Sequence, residues 1–245
     1  MKNGATRVEV PNELSNDPQY GRCTGTDNAC AVLVPIFNHL EKDQMDEVNK
    51  MIRTVTYKKG ETIYRAGDTI NSLYIIRQGR AKISRLSESG KEQLLRILHP
   101  GDFTGELALF TESISEAYAE TLENTVVCMV KRADLRALLC RYPAIALKLL
   151  AELAGRLERS EKQTTRFATE KVETRIALFL AECVDNNEPS GEIVLPMRKK
   201  ELASYLGTTP ETISRKLMEF ETLGYIKQKT NRRIEIVALD ELLLV

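Results

Sequence analysis

The sequence predicts an α+β chain: a β-roll first, then a long helix, then a winged helix–turn–helix. Three observations carry this. Short apolar runs between residues 55 and 131 are separated by glycines at 60, 67, 79, 90, 101 and 105, as strands joined by tight turns require. Ala146, Leu149, Leu150, Leu153, Leu157 and Phe167 then fall on one helical stripe. Beyond it, helical patterns over 198–206 and 210–222, joined by Gly207-Thr208-Thr209, precede two strand-like runs.

In order along the chain, residues 1–31 are polar, contain Pro11, Pro18, Gly21 and Gly25, and read as an irregular arm carrying Cys23 and Cys30. Residues 32–142 read as the β-roll unit. Phe37, Leu40, Met45, Val48 and Ile52 predict a helical entry over 32–54. Strand-like runs follow, among them Leu73-Tyr74-Ile75-Ile76 and the segments 94–98 and 126–130. Asp134 is placed to cap a short helix ending before Pro143, and Pro143 to open the next one. The long helix spans 143–168. It either packs on its own domain or forms a two-chain seam. Residues 169–245 form the last unit. An amphipathic helix over 169–184 has Val172, Ile176, Phe179 and Leu180 inward, and a polar loop and a strand at 193–195 follow. The helix pair comes next, then a hairpin of residues 225–227 and 234–237.

Composition narrows the function. With 35 Lys+Arg against 35 Asp+Glu in 245 residues, any nucleic-acid footprint must be local. No apolar run approaches the roughly 18–20 residues of a membrane span, and the N-terminus lacks an apolar signal core. A cytoplasmic protein without a membrane partner is expected. His39 and His99 stand apart from other metal ligands, which argues against a conventional zinc site. GxSxG, HExxH, GxGxxG and a P-loop are absent, so an enzyme is not expected. Five cysteines in a reducing compartment point to free, metal-bound or redox-active thiols rather than structural disulfides.

The helix pair carries the chemistry. Leu202, Ala203 and Leu206 fix the first helix, and Gly207 makes the turn. Thr209 caps the second helix, with Pro210 at its first position. Ile213 and Leu217 face inward, leaving Glu211, Thr212, Ser214, Arg215 and Lys216 toward solvent near the helix N-terminus. In a DNA-binding helix–turn–helix such residues reach base edges in the major groove. Arg215 suits a guanine edge and Glu211 a cytosine amine. Basic residues cluster at 198–200, 215–216 and 227–233, with Arg198 and Lys199 suited to phosphates.

Residues 198–217 resemble the DNA-binding helix–turn–helix of the CRP/FNR superfamily of bacterial regulators, and Glu211-x-x-Ser214-Arg215 resembles its FNR branch, including FNR/Flp-type proteins of Gram-positive bacteria. The N-terminal half agrees. The segments 59–68, 73–79 and 101–109 look like that family's cyclic-nucleotide-binding-type β-roll. The resemblance covers roughly 33–242. It implies a homodimer joined through 143–168, double-stranded DNA and RNA polymerase as partners, and a TTGAT-like half-site. Gly105-Glu106 matches the first pair of the family's cAMP cassette. The Arg-Ser pair is absent: the chain reads Ser113-Ile114-Ser115-Glu116-Ala117-Tyr118, with no Arg or Lys between 97 and 130. A cyclic phosphate beside Glu116 would find no guanidinium, so cAMP is not expected to bind.

Members of the FNR branch hold an oxygen-labile [4Fe–4S] cluster on three N-terminal cysteines and one on the roll. Residues 118–128 look like the approach to that last ligand, Cys128. Cys30 and Cys23 resemble members of the N-terminal set. The third is missing, and a cubane needs four ligands. Asp27 is the available substitute. Three readings stay open for Cys23, Cys30 and Cys128: cluster ligands, a thiol–disulfide switch joining Cys128 to Cys23 or Cys30, or no redox role. Cys140 and Cys183 are expected in helical cores.

Overall fold

The structure is a computed structural model that describes residues 20–22, 34–111, 114–184, 191–230 and 232–245. Of the arm expected to be irregular over 1–31, only residues 20–22 are described, and they form a strand; the rest, with Cys23, Asp27 and Cys30, and the loop at 185–190 lie outside the described residues.

Strand β1 (Tyr20–Arg22) pairs with β2 (Ile52–Tyr57). The helical entry expected over 32–54 is narrower than its spacing suggested. Residues 34–40 form turns, and α1 spans Lys42–Met51. Ile52 opens β2 instead of continuing the helix. It and the alternating Arg53-Thr54-Val55-Thr56 pair with β9 (Thr125–Lys131), with Ile52 opposite Val130. The β-branched residues favour that ladder over another helical turn.

The roll is two antiparallel sheets. Strands β3 (Thr62–Tyr64), β4 (Ser72–Gln78), β5 (Ala81–Leu86), β6 (Glu92–Leu98), β7 (Phe103–Thr104) and β8 (Tyr118–Thr121) complete it, with the short α2 (Leu107–Phe110) between β7 and β8. One sheet runs β1-β2-β9-β4-β7 and the other β3-β8-β5-β6. Tyr64, Ile70, Ile76, Ile83, Leu98 and Val127 form a core within the roll. The opposite side of β9 and β4 buries Leu73, Ile75, Cys128 and Val130. The covering residues come from α3 (Arg132–Arg141) and α4 (Pro143–Thr169), through Leu135, Leu138, Ile145 and Leu149.

Lys131, not Asp134, is the N-cap of α3. Asp134 lies in the first turn, where its charge complements the helix dipole. Pro143 does open α4. Glu170 and Lys171 are extended, so the next helix, α5, spans Val172–Glu182 rather than continuing from 169.

The last unit follows as β10 (Glu192–Val194), α6 (Lys199–Tyr205), α7 (Pro210–Thr222), β11 (Ile226–Gln228), β12 (Arg233–Ile236) and α8 (Leu239–Leu242). The three strands form a sheet in the order β10-β12-β11, with β11 and β12 as the wing. Ile176, Leu180, Leu202, Ile213, Leu217 and Phe220 make its core. Leu94 of β6 joins that core, so roll and C-terminal unit meet through apolar contact. No helix among the described residues is long and apolar enough to cross a membrane.

Candidate nucleic-acid interface

Helix α7 is held by its ends and by one face. At the N-terminus, Thr209 Oγ1 accepts from Thr212 N–H at 3.2 Å, and the two hydroxyls lie 3.1 Å apart. Gly207 turns the chain with φ +67°, and a Cβ there would stand 3.3 Å from the Phe167 ring, so glycine suits both the turn and the packing. Ile213 and Leu217 are fully buried. Glu211, Ser214 and Arg215 are exposed on the other face, and none has a side-chain hydrogen bond or ion pair among the described residues.

Lys216 is placed differently. It is half-buried, 2.9 Å from Glu219 and 3.5 Å from Glu173 of α5. The hydrogen bond with Glu219 leads the rise in its pKa. It therefore serves the α5–α7 contact more than the open face.

Around this helix the basic residues divide into free and neutralised. Arg198 is the N-cap of α6, and its backbone N–H donates to Glu201 Oε2 at 2.7 Å. Arg198, Lys199 and Lys200 are exposed, and Lys199 Nζ donates to Gln228 Oε1 at 3.2 Å. In the wing, Lys229 lies 2.8 Å from Glu192 and 2.9 Å from Glu235, and Arg233 lies 3.2 Å from Glu192. Hydrogen bonding to Glu192 is the leading cause of the raised Lys229 pKa. Lys227 and Arg232 keep no ion pair among the described residues, and Arg232 adopts a left-handed φ of 63°.

One basic surface was missed by sequence reasoning. A cleft of about 620 Å³ separates the roll from the C-terminal unit beside the start of α7. Lys59, Arg80, Lys82 and Lys91 line it from the roll, Arg198 and Lys200 from the other side. Arg80 and Lys82 are paired with Glu123 and Glu92 at 3.1 and 2.6 Å. Lys59 and Lys91 sit in turns, where a lone lysine normally signals only solvent.

Inside the roll, Gly105 has φ +84° and approaches Ser72 so closely that a Cβ would lie 2.5 Å from its carbonyl oxygen. The next residue, Glu106, is already engaged. Its Oε1 accepts from Arg96 Nη2 at 3.1 Å and lies 3.0 Å from Arg156 Nη1 of α4. Arg156 also stacks on the Phe103 ring at 3.9 Å and donates to the Phe103 carbonyl at 3.0 Å. Burial lowers its pKa. Tyr64 and Thr104 share a 2.6 Å hydrogen bond beside this cluster. The expectation that no guanidinium stands near Glu116 is corrected: Arg85 Nη2 lies 2.8 Å from it. The cations come from β5, β6 and α4, outside residues 97–130.

Cys128 is fully buried in the middle of β9, with Thr54 Oγ1 4.0 Å from its sulfur. It is disulfide-bonded, while Cys140 and Cys183 are free. Cys140 is exposed, contrary to its expected core place, because it falls on the solvent side of α3. Cys183 is partly covered, and burial, then Glu182, pushes its thiol up to about 11. No group of three or more His, Cys, Asp or Glu able to hold a metal occurs among the described residues. A four-ligand iron–sulfur cluster on Cys23, Cys30 and Cys128 would need Cys128 as a free thiolate rather than in a disulfide.

Comparison with known proteins gives two family matches: a cyclic nucleotide-binding domain over residues 54–142 and a Crp-like helix-turn-helix domain over 174–244. The probable transcriptional regulator flp of Lacticaseibacillus casei is 30% identical over 217 residues, 88% of this chain and 97% of that protein. The anaerobic regulatory protein of Haemophilus influenzae is 30% identical over 216 residues, 85% of this chain and 83% of its own. FixK2 from Bradyrhizobium japonicum superposes with a TM-score of 0.66 at 28% identity, over 77% of this chain and 94% of its own.

Proposed function

The chain belongs to the CRP/FNR family of transcriptional regulators, and from that premise we propose that it is a homodimeric, thiol-responsive regulator reading a two-fold DNA site through α7. The open face of α7 carries the proposal: Glu211, Ser214 and Arg215 stand exposed on a capped helix with no side-chain partner among the described residues. Arg215 takes a guanine, Glu211 a cytosine amine, and Thr209, Thr212 and Ser214 serve bases or phosphates. Arg198 and Lys199 meet the backbone, while Lys216 sets the helix on α5.

Dimerisation uses α4. Leu147, Leu150 and Leu157 are 57–68% exposed along this 27-residue helix, an apolar stripe that a second copy would cover. Two recognition helices would then meet TTGAT-like half-sites about one helical turn apart.

The thiol switch rests on Cys128. Its side chain belongs to the same core as Ile145 and Leu149 at the base of α4. Forming or breaking a disulfide there, with Cys23 or Cys30, changes packing in a cluster that α4 shares. Such a change favours one of two arrangements of the helix pair, and so of the two reading heads. The name of the Haemophilus relative agrees with control by oxygen or redox state.

The test is to purify the chain without air, measure iron, and titrate a TTGAT palindrome under reducing and oxidising conditions. The proposal expects an iron-free protein whose affinity for the palindrome changes with thiol oxidation. About four irons per chain would replace the thiol switch with a cluster. Equal affinity for random DNA would remove the DNA-reading role.

A further inference from the structure

Strand β6 is an outer strand of its four-stranded sheet. Such a strand leaves a row of backbone N–H and C=O groups without ladder partners. Here α6 meets that row. The Ser204 hydroxyl donates to the Glu92 carbonyl and accepts from the Leu94 N–H, both at 2.8 Å. One side chain thus stands in for a neighbouring strand.

The attachment also runs the other way. A helix leaves its last carbonyls unpaired. Gln93 Nε2 donates to the Ser204 carbonyl at 2.7 Å, and Gln163 Nε2 of α4 to the Tyr205 carbonyl at 3.1 Å. Leu94 is 1% exposed inside the core of the C-terminal unit. Arg80 Nη1 donates to the Pro196 carbonyl at 3.0 Å. Every one of these hydrogen bonds falls on α6 or on the segment just before it. The α7 face with Glu211, Ser214 and Arg215 stays exposed, so the attachment does not cover the reading surface.

We infer that Ser204 and Gln93 are positioning residues that brace the DNA-reading unit on β6, fixing the separation and tilt at which the dimer presents its two recognition helices. The inference rests on the DNA-reading role proposed above. A unit free to swing would lose orientational freedom on engaging the second half-site, and a braced one has already lost it.

The test compares the full-length chain with Ser204→Ala, Gln93→Ala, the double variant, and Ser204→Thr, which keeps the hydroxyl. Three DNAs are titrated: a TTGAT palindrome, the same palindrome with one base pair inserted between half-sites, and a single half-site. Thermal unfolding is followed in parallel. The double variant is expected to bind the palindrome about tenfold more weakly, the scale of one or two lost hydrogen bonds. It should tolerate the insertion better than the unaltered chain, bind the single half-site equally well, and be rescued at position 204 by threonine. Unchanged palindrome affinity with an unchanged insertion penalty overturns the brace. So does tighter palindrome binding, which would make the contact inhibitory. Should Ser204→Ala unfold the unit, Gln93→Ala on the roll decides by the same readouts. An unaltered chain without preference for the palindrome overturns the DNA-reading role itself, and the brace with it.

Discussion

A guanidinium can engage both acceptors on a guanine edge at once, and Arg215 is exposed with no partner among the described residues to give up. Arg215→Ala is therefore expected to cost about 1–3 kcal/mol and to relax preference at one base pair, read by competition with single-base variants of the site. A uniform loss across all sequences would make it a phosphate contact instead. Lys216 is the contrast. Held by Glu219 and Glu173, it has little free charge to offer, and Lys216→Ala should leave the salt dependence of binding nearly unchanged. Inside the roll, Glu106 faces Arg96 and Arg156 together. Glu106→Gln leaves two guanidiniums without their counter-charge and should destabilise the chain by roughly 3 kcal/mol in denaturant unfolding. Replacing Arg156 by Met in the same chain should recover part of that loss. Equal stability of Glu106→Gln and the unaltered chain would show that the cluster is solvated.

Elements announced themselves in the sequence where one local rule sufficed. Thr209 and Pro210 mark the start of α7, Gly207 the turn before it, and Pro143 the start of α4. Thr209→Ala should accordingly cost about 1 kcal/mol of stability in the C-terminal unit, with Thr209→Ser close to neutral. Where two periodicities competed, local rules failed. Ile52 continues the helical stripe of Met45 and Val48, yet a waiting ladder partner in β9 turns it into a strand. What the sheets bring together was hidden altogether. Arg85, Arg96 and Arg156 reach Glu116 and Glu106 from three separate elements, and no linear window contains them. Ser204 is equally silent: a serine in a short polar helix signals solvent, and only the free edge of β6 gives it a role. The same holds for α4, whose stripe was visible while its two sides were not distinguished. Ile145 and Leu149 are buried in the chain's own core, and Leu150 and Leu157 are exposed. Leu150→Asp with Leu157→Asp should yield folded monomers by sedimentation, and a persisting dimer would place the seam elsewhere.

At the scale of the whole molecule, the thiol pair and the DNA site are tied by linkage. If oxidation at Cys128 changes the affinity for the palindrome by some factor, DNA must change the equilibrium of disulfide formation by the same factor. For a two-electron couple a tenfold effect appears as a shift of about 30 mV in reduction potential. Both sides can be measured on one preparation. The sequence has five cysteines, and Cys128 is paired while Cys140 and Cys183 are free, so the denatured oxidised chain should titrate three thiols and the reduced chain five. Oxidised and reduced chains should differ at least about fivefold in palindrome affinity, and the potential of the pair should move correspondingly when the palindrome is added. Cys128→Ser should hold the affinity at the reduced value under both conditions. The serine sits in a buried strand position that now accommodates a sulfur, so its unfolding must be checked alongside. An affinity that shifts with oxidation in Cys128→Ser would move the switch to other thiols. A potential that stays fixed while affinity changes would violate linkage, and would mean that the oxidised preparation had changed at some site other than this disulfide.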